Sequence, residues 1–130
     1  MEQPDDRRYT TTHEWVQIVD DLAVVGITQH AVAQLGDLAF IDLPESGTEV
    51  SRGDPFGEIE STKTASQLFA PVSGQIVEVH TALIEELQRI VESPFEEGWL
   101  VRIQPSNPAE LEDLLSSAEY DRQVVAEDDA

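Results

Sequence analysis

The sequence predicts a single, mainly β domain, either a small sandwich or a barrel, with two or three short helices around it. Short apolar runs, several of which alternate with polar residues, recur along most of the chain. Glycine, proline, asparagine or aspartate separates these runs at short intervals, as expected for many short strands joined by turns. At 130 residues the chain has the length of one domain with a modest core.

Seven runs predict strands. The first two form a hairpin, in which residues 9–18 lead to a turn at Asp20 and Asp21 and residues 22–27 return. The other predicted strands are residues 37–43, 56–59, 68–72, 75–80 and 99–103.

Two further stretches carry helix signals in the first two thirds of the chain. Thr28 is a predicted N-cap for a short helix over residues 29–35, and Gly36 ends it. Residues 82–91 carry the apolar side chains of Leu83, Leu87, Ile90 and Val91 and predict either a short helix or an apolar loop.

The C-terminal part predicts one more helix and a tail. Asn107 can cap a helix over residues 108–117, with three leucines on one face. These are Leu111, Leu114 and Leu115. We expect a polar N-terminal tail at residues 1–8, a folded domain at 9–122 and an acidic tail at 123–130.

Composition excludes several classes of function. The chain has 27 acidic and seven basic residues, a net charge of −20, which excludes general binding to nucleic-acid phosphates and favours transient partners with basic surfaces. There is no cysteine for a disulfide or thiolate site. No run of 18 apolar residues predicts a membrane span, and the acidic start is unlike a signal or transit peptide, so we expect a cytoplasmic protein.

Lys63 is the only lysine, and its neighbours in the chain are small. The apolar runs on either side predict a hairpin with Lys63 at or near its tip. An enzyme can acylate such an amine, and the lysine can then carry a long prosthetic group as a swinging arm. The alternative is an ordinary solvated surface lysine, as most lysines are.

The segment around this lysine matches a known pattern. Residues 60–66 read Glu-Ser-Thr-Lys-Thr-Ala-Ser, residues 70–74 read Ala-Pro-Val-Ser-Gly, and together they resemble the lipoylation segment of the glycine cleavage system H protein family. The likeness covers about residues 8–122 without gaps. It continues in Thr-His-Glu-Trp-Val at 12–16, Gly-Ile-Thr at 26–28, Leu-Gly-Asp at 35–37, Leu-Pro at 43–44 and Pro-Phe-Glu-Glu-Gly-Trp at 94–99.

The resemblance implies a fold and a function. The fold would be two antiparallel sheets in a flattened barrel-sandwich hybrid, as in lipoyl and biotinyl domains, with peripheral helices. The function would be to carry lipoate on Lys63, attached by lipoyl-attaching enzymes. The arm would take an aminomethyl group from glycine decarboxylase (P) to the aminomethyltransferase (T), and the dihydrolipoyl group to dihydrolipoyl dehydrogenase (L).

The resemblance also implies a docking cleft for the loaded arm, lined by Thr12, Glu14 and Gln67. A carboxylate there can hold the ammonium of the cargo by a charge-assisted hydrogen bond. Two departures from the family pattern bear on this cleft. Gln67 replaces the usual aspartate, and four residues differ in a loop that lies beside the docking region in the family. These are His80, Leu87, Arg89 and Val91, in place of Asn, Pro, Leu and Asn.

These departures keep other functions open. One is an H-protein-like lipoate-binding protein of heterodisulfide-reductase-like sulfur oxidation. A biotin carrier is another, although Thr62-Lys63-Thr64 lacks the methionines that normally flank a biotinyl lysine. A third is an unmodified acidic interaction module. The three histidines are scattered, which gives no sign of a metal site, and no catalytic motif predicts an enzyme.

Overall fold

The computed structural model describes residues 4–128, and the side chains of residues 4–127. Over this range the chain forms two antiparallel sheets with three short α-helices and two 3₁₀ turns, which confirms the predicted mainly β fold. The larger sheet has six strands in the order β1-β2-β3-β9-β8-β5, and the smaller has three in the order β4-β6-β7.

The predicted runs overlap observed strands, but several bounds were wrong: the strand predicted over 68–72 runs over Ala65–Phe69, and the one predicted over 99–103 runs over Val101–Pro105. The run predicted over 9–18 divides into Arg8–Tyr9 and Glu14–Val19. The larger sheet contains β1 (Arg8–Tyr9), β2 (Glu14–Val19), β3 (Leu22–Ile27), β5 (Glu49–Val50), β8 (Gly74–Val79) and β9 (Val101–Pro105). The smaller sheet contains β4 (Leu38–Asp42), β6 (Pro55–Ser61) and β7 (Ala65–Phe69). The helices are α1 (Gln29–Leu35), α2 (Gln88–Glu92) and α3 (Ser117–Asp128), and the 3₁₀ turns are Thr81–Ile84 and Pro108–Asp113.

The first hairpin forms as predicted. Asp20 and Asp21 have φ angles of 52° and 66°, the left-handed values of a two-residue turn that matches the twist of the strands. Trp15 lies opposite Gly26 on β3. A Cβ on Gly26 would lie 2.5 Å from atoms of the indole ring, so the ring packs on the strand only because residue 26 has no side chain.

Helix α1 has the predicted bounds. The Oγ1 of Thr28 accepts a hydrogen bond from the backbone N–H of Ala31 at 3.2 Å, which caps the first turn. Gly36 ends the helix at φ 81° and donates its N–H to the carbonyl of Val32. Val32 and Leu35 are buried, which fixes the helix against the core.

One cluster of buried side chains joins the two sheets. Val25 and Ile103 reach it from the larger sheet, and Ile59 and Leu68 reach it from the smaller. A second, smaller cluster contains Tyr9, Trp15, Val24 and Tyr120. Leu68 near the base of the β6–β7 hairpin and Ile59 near its tip therefore both anchor the hairpin in the main core.

The C-terminal prediction was partly wrong. The helix predicted over 108–117 is a 3₁₀ turn over Pro108–Asp113, although Asn107 does cap it by accepting the N–H of Ala109. The α-helix follows later, over Ser117–Asp128, and buries Tyr120 against Tyr9 with their rings stacked at 4.9 Å. The stretch 82–91, left open between helix and loop, forms a 3₁₀ turn and α2.

The folded domain predicted over residues 9–122 stays a prediction, but secondary structure extends beyond both of its limits. Arg7 is buried, with its guanidinium 4.7 Å from the centre of the Trp15 ring, and Arg8 belongs to β1, so residues 7 and 8 are not a polar tail. Residues 123–128 belong to α3 rather than to a tail. The parts of the predicted tails at 1–3 and 129–130 lie outside the described residues. Within the described chain, none of the helices has the length and apolar character needed to cross a membrane.

Candidate functional site

Lys63 lies at the tip of the β6–β7 hairpin, as predicted. Glu60 pairs with Ala65 in the antiparallel ladder, Ser61 ends β6, and residues 62–64 connect the strands. The Lys63 side chain is exposed. Its primary amine is therefore open to another protein.

Ser61 fixes the backbone of this tip. Its side-chain Oγ accepts hydrogen bonds from the backbone N–H groups of Lys63 and Thr64, at 3.3 and 3.2 Å. Its own backbone N–H donates to the carbonyl of Thr64 at 2.8 Å. Sequence analysis did not assign a role to Ser61, because a serine beside a lysine gives no sign of such a local turn.

The tip also rests on the end of helix α1. The backbone N–H of Thr62 donates to the carbonyl of Asp37 at 2.9 Å. A Cβ on Gly36 would lie 3.3 Å from Cε of Lys63, so the lysine stem runs over the glycine that ends the helix. The attachment point is exposed, yet its backbone is held from two sides.

Two clefts meet beside the hairpin. The smaller, of about 240 Å³, runs between α1 and β7, from Thr64 past Gln67 to Glu14. The larger, of about 580 Å³, continues from Glu14 towards Arg52. Thr12 and Glu14 line both clefts. The structure thus brings together Thr12, Glu14 and Gln67, the three residues expected to line a docking cleft near the lysine.

Glu14 is a buried carboxylate at the junction of these clefts, with 1% of its surface exposed. Its Oε1 accepts hydrogen bonds from the hydroxyls of Thr10, at 2.7 Å, and Thr12. Burial raises the pKa of Glu14, although the hydroxyls of Thr12 and Thr10 and the Phe69 N–H act in the opposite direction. A carboxylate with a raised pKa gains from the approach of a cation.

Gln67 is exposed on β7 and carries no charge, so Glu14 is the acidic residue that lines the smaller cleft.

Thr10 is a residue that sequence analysis missed. It makes three hydrogen bonds to Glu14, because its hydroxyl also accepts the backbone N–H of Glu14 at 3.0 Å and its own N–H donates to the Glu14 carbonyl at 2.9 Å. The run of three threonines at 10–12 was the only available sign.

Comparison with known proteins decides the family. The family model described as glycine cleavage H-protein matches residues 7–127. The chain belongs to the glycine cleavage H-protein family. It is 50% identical to the glycine cleavage system H protein of Rubrobacter xylanophilus, over 98% of each chain. It is 45% identical to that of a Synechococcus strain, over 92% of this chain and 93% of the relative.

A solved structure shows the same family fold. The crystal structure of a glycine cleavage system H protein from Mycobacterium marinum matches with a TM-score of 0.86 and 46% identity, over 93% of this chain and 98% of that one. These similarities confirm the resemblance drawn from the lysine segment. Nothing in them favours the sulfur-oxidation alternative.

The departure from the glycine cleavage H-protein pattern at residues 80–93 lies away from the clefts. Among the described residues, none of this segment lines either one. His80 stacks on Trp99 at 4.3 Å, and its Nδ1 bonds the Trp99 carbonyl at 2.7 Å. Ile90 of α2 is buried in the main core, and α2 contacts α1. The altered segment can therefore act on the site through α1, or through β4, which the 3₁₀ turn at Thr81–Ile84 contacts.

The histidines are less scattered in space than in sequence. The rings of His13 and His30 lie 4.8 Å apart, whereas His80 packs elsewhere on Trp99. Glu127 on α3 joins the first two. Their scattered positions in the sequence therefore gave no sign of the proximity of this pair.

Proposed function

We propose that the chain is the lipoyl-carrying protein of the glycine cleavage system. It shuttles the aminomethyl group from glycine decarboxylase (P) to the aminomethyltransferase (T), and the dihydrolipoyl group to dihydrolipoyl dehydrogenase (L). The observation that carries the proposal is the position of Lys63. It is the only lysine of a family member, exposed at a fixed hairpin tip beside a cleft that ends at a buried carboxylate.

Lys63 is the proposed N6-lipoyl attachment site. Amide formation needs an unhindered primary amine, and small residues follow Lys63 in the chain. A lipoyl-attaching enzyme must also recognise the lysine in one defined place. The hydrogen bonds of Ser61 and of Asp37 hold the tip in one backbone conformation and so present the amine reproducibly.

The residues beside the lysine fit a long, narrow arm. The smaller cleft has Ala31 and Leu35 of α1 along one wall and Ser66 and Gln67 of β7 along the other. Apolar carbons of an arm can lie along the first wall. When attached, lipoate supplies a dithiolane that opens to a dithiol and holds the one-carbon unit on sulfur. The chain itself supplies the tether, the resting place and the surfaces for partners.

Glu14 is the proposed holder of the cargo ammonium. In a half-enclosed cleft, a carboxylate attracts a cation more strongly than it does in water, because less solvent screens the pair. Thr12 and Thr10 orient the carboxylate through their hydroxyls. Gln67 adds a neutral amide to the cleft, where it can accept or donate a hydrogen bond but adds no charge.

The remaining parts of the proposal follow from charge and family. A carrier without chemistry of its own is not an enzyme, since the partner enzymes carry out the reactions. The net charge of −20 suits brief, salt-sensitive encounters with basic surfaces of those enzymes and opposes binding to nucleic acid. We place the protein in the cytoplasm, with no membrane partner.

A reconstituted reaction tests the proposal. Lipoylated protein is mixed with glycine, glycine decarboxylase and the aminomethyltransferase with tetrahydrofolate, and release of ammonia is measured. We expect ammonia only when the lipoylated protein is present, and none with Lys63→Arg. If the lipoylated protein accepts no aminomethyl group, glycine cleavage is the wrong pathway even though the carrier role stands.

A further inference from the structure

A second cluster of metal-ligating side chains adjoins the smaller cleft, which His13 also lines, where three elements meet. His13 precedes β2, His30 is the second residue of α1, and Glu127 lies near the described end of α3. One nitrogen from each ring and one carboxylate oxygen all lie within 4.8 Å of one another. The segments are up to 114 residues apart in the chain, so only the fold brings them together.

One of these side chains has a buried nitrogen that nothing satisfies. The Nε2 of His30 is inaccessible to solvent and has no hydrogen-bond partner among the described residues. A buried polar atom without a partner costs free energy, and native structures contain few of them. The orphan nitrogen therefore points to a group that the protein chain does not itself provide.

The second histidine is already oriented as a metal ligand usually is. The Nδ1 of His13 contacts the hydroxyl of Tyr120 at 2.6 Å, and that hydroxyl contacts Oγ1 of Thr28 at 2.7 Å. An ionised carboxylate only accepts, so without a metal the His13 Nε2–H donates to Glu127 at 3.2 Å and Nδ1 accepts from the tyrosine hydroxyl. A metal ion would replace that Nε2 proton, and Nδ1–H would then donate to the tyrosine oxygen.

We propose that His13, His30 and Glu127 bind one divalent transition-metal ion of the zinc class, with water as the fourth ligand. Two imidazoles and a carboxylate are a donor set that zinc takes in proteins. Ligand atoms around tetrahedral zinc lie about 3.3 Å apart, given bonds of about 2.0–2.1 Å. The present separations close to that value through side-chain rotation of His30 and the half-exposed Glu127.

The ion would tie three elements together. It would link the C-terminal helix α3 to α1 and to the start of β2, directly before Glu14. An ion that binds the folded chain stabilises it by mass action. At a zinc concentration near 100 times Kd, we expect the melting temperature to rise by roughly 10 °C.

Zinc titration of metal-free, full-length protein tests the site, and lipoylation is not needed. Calorimetry and the zinc retained after desalting give the stoichiometry, and NMR of the imidazole protons shows which rings respond. We expect about one zinc per chain, with shifts of His13 and His30 but not of His80. His30→Gln and Glu127→Gln should each weaken binding by at least roughly 10-fold, whereas His80→Gln should bind like the native chain.

The controls separate this site from the acidic surface. Magnesium prefers oxygen ligands, so it should neither displace zinc nor shift the histidine signals. The Glu127 side chain is 40% exposed, so Glu127→Gln should fold even if His30→Gln does not. Absence of saturable zinc binding by the native chain would overturn the proposal. Binding that is equal in the native chain and Glu127→Gln would overturn it as well.

Discussion

Glu14→Gln is the most informative change at the cleft, because glutamine keeps the shape of the side chain and removes its charge. The amide oxygen can still accept from the hydroxyls of Thr10 and Thr12, so the local fold should survive. What is lost is the charge-assisted bond to the cargo ammonium. Such a bond contributes about 1.5–3 kcal/mol, and each 1.4 kcal/mol is about a factor of ten in an equilibrium.

The docked fraction of the loaded arm should therefore fall roughly 10- to 100-fold relative to the undocked fraction. If docking shields the aminomethyl group from water, as proposed, its lifetime should shorten in the variant. The assay loads lipoylated native and variant protein, removes the decarboxylase, and follows loss of the group by intact mass. Ser66→Ala, which changes an exposed residue of the same cleft, is the matched control. Equal lifetimes in the native protein and Glu14→Gln would refute the docking role.

Three further predictions concern stability. In the folded chain the pKa of Glu14 is raised above its ordinary 4.5, so the free energy of unfolding falls as the pH rises from that value through the folded pKa. Glu14→Gln cannot ionise and should not show this loss. The urea midpoint of the variant, relative to that of the native chain, should therefore be higher at pH 7 than at pH 4. Ser61→Ala should cost about 1–2 kcal/mol and slow lipoylation by loosening the tip, whereas Ser66→Ala should do neither; unchanged lipoylation would count against a fixed tip. Gly26→Ala should cost about 1–3 kcal/mol, read from urea unfolding, because its Cβ would meet the Trp15 ring, and an unchanged midpoint would contradict that packing.

The parts of the fold that sequence analysis predicted best are those set by local chemistry. The paired aspartates at 20 and 21 define the first hairpin, and Thr28 and Gly36 define the two ends of α1. In each case a few adjacent residues decide the backbone conformation, so no distant contact is needed.

Helix α3 escaped prediction because its buried side chain, Tyr120, packs on residues far away in the chain, such as Tyr9 and Thr28. Over Ser117–Asp128 the inward residue Tyr120 is surrounded by polar neighbours, so no apolar stripe reveals the helix. The three leucines at 111, 114 and 115 gave a stronger helix pattern. In the structure they divide between clusters, because Leu111 and Leu114 pack on the main core and Leu115 on the second.

The residues of the candidate site also differ in how far local sequence predicts them. Lys63 at a hairpin tip could be predicted from the flanking runs and the absence of other lysines. The burial of Glu14, and the Thr10 hydroxyl that bonds it, depend on strands packed across the chain, so spacing alone does not reveal them. The same holds for His13, His30 and Glu127, which lie far apart in sequence.

The central claim is that one amine in this chain is the acceptor of lipoate. It is tested most directly by incubating the purified protein with lipoate, ATP and a lipoate ligase, then measuring its intact mass. We expect a gain of one lipoyl group in the native chain and no gain in Lys63→Arg. An unchanged native mass, or an equal gain in the variant, would contradict it.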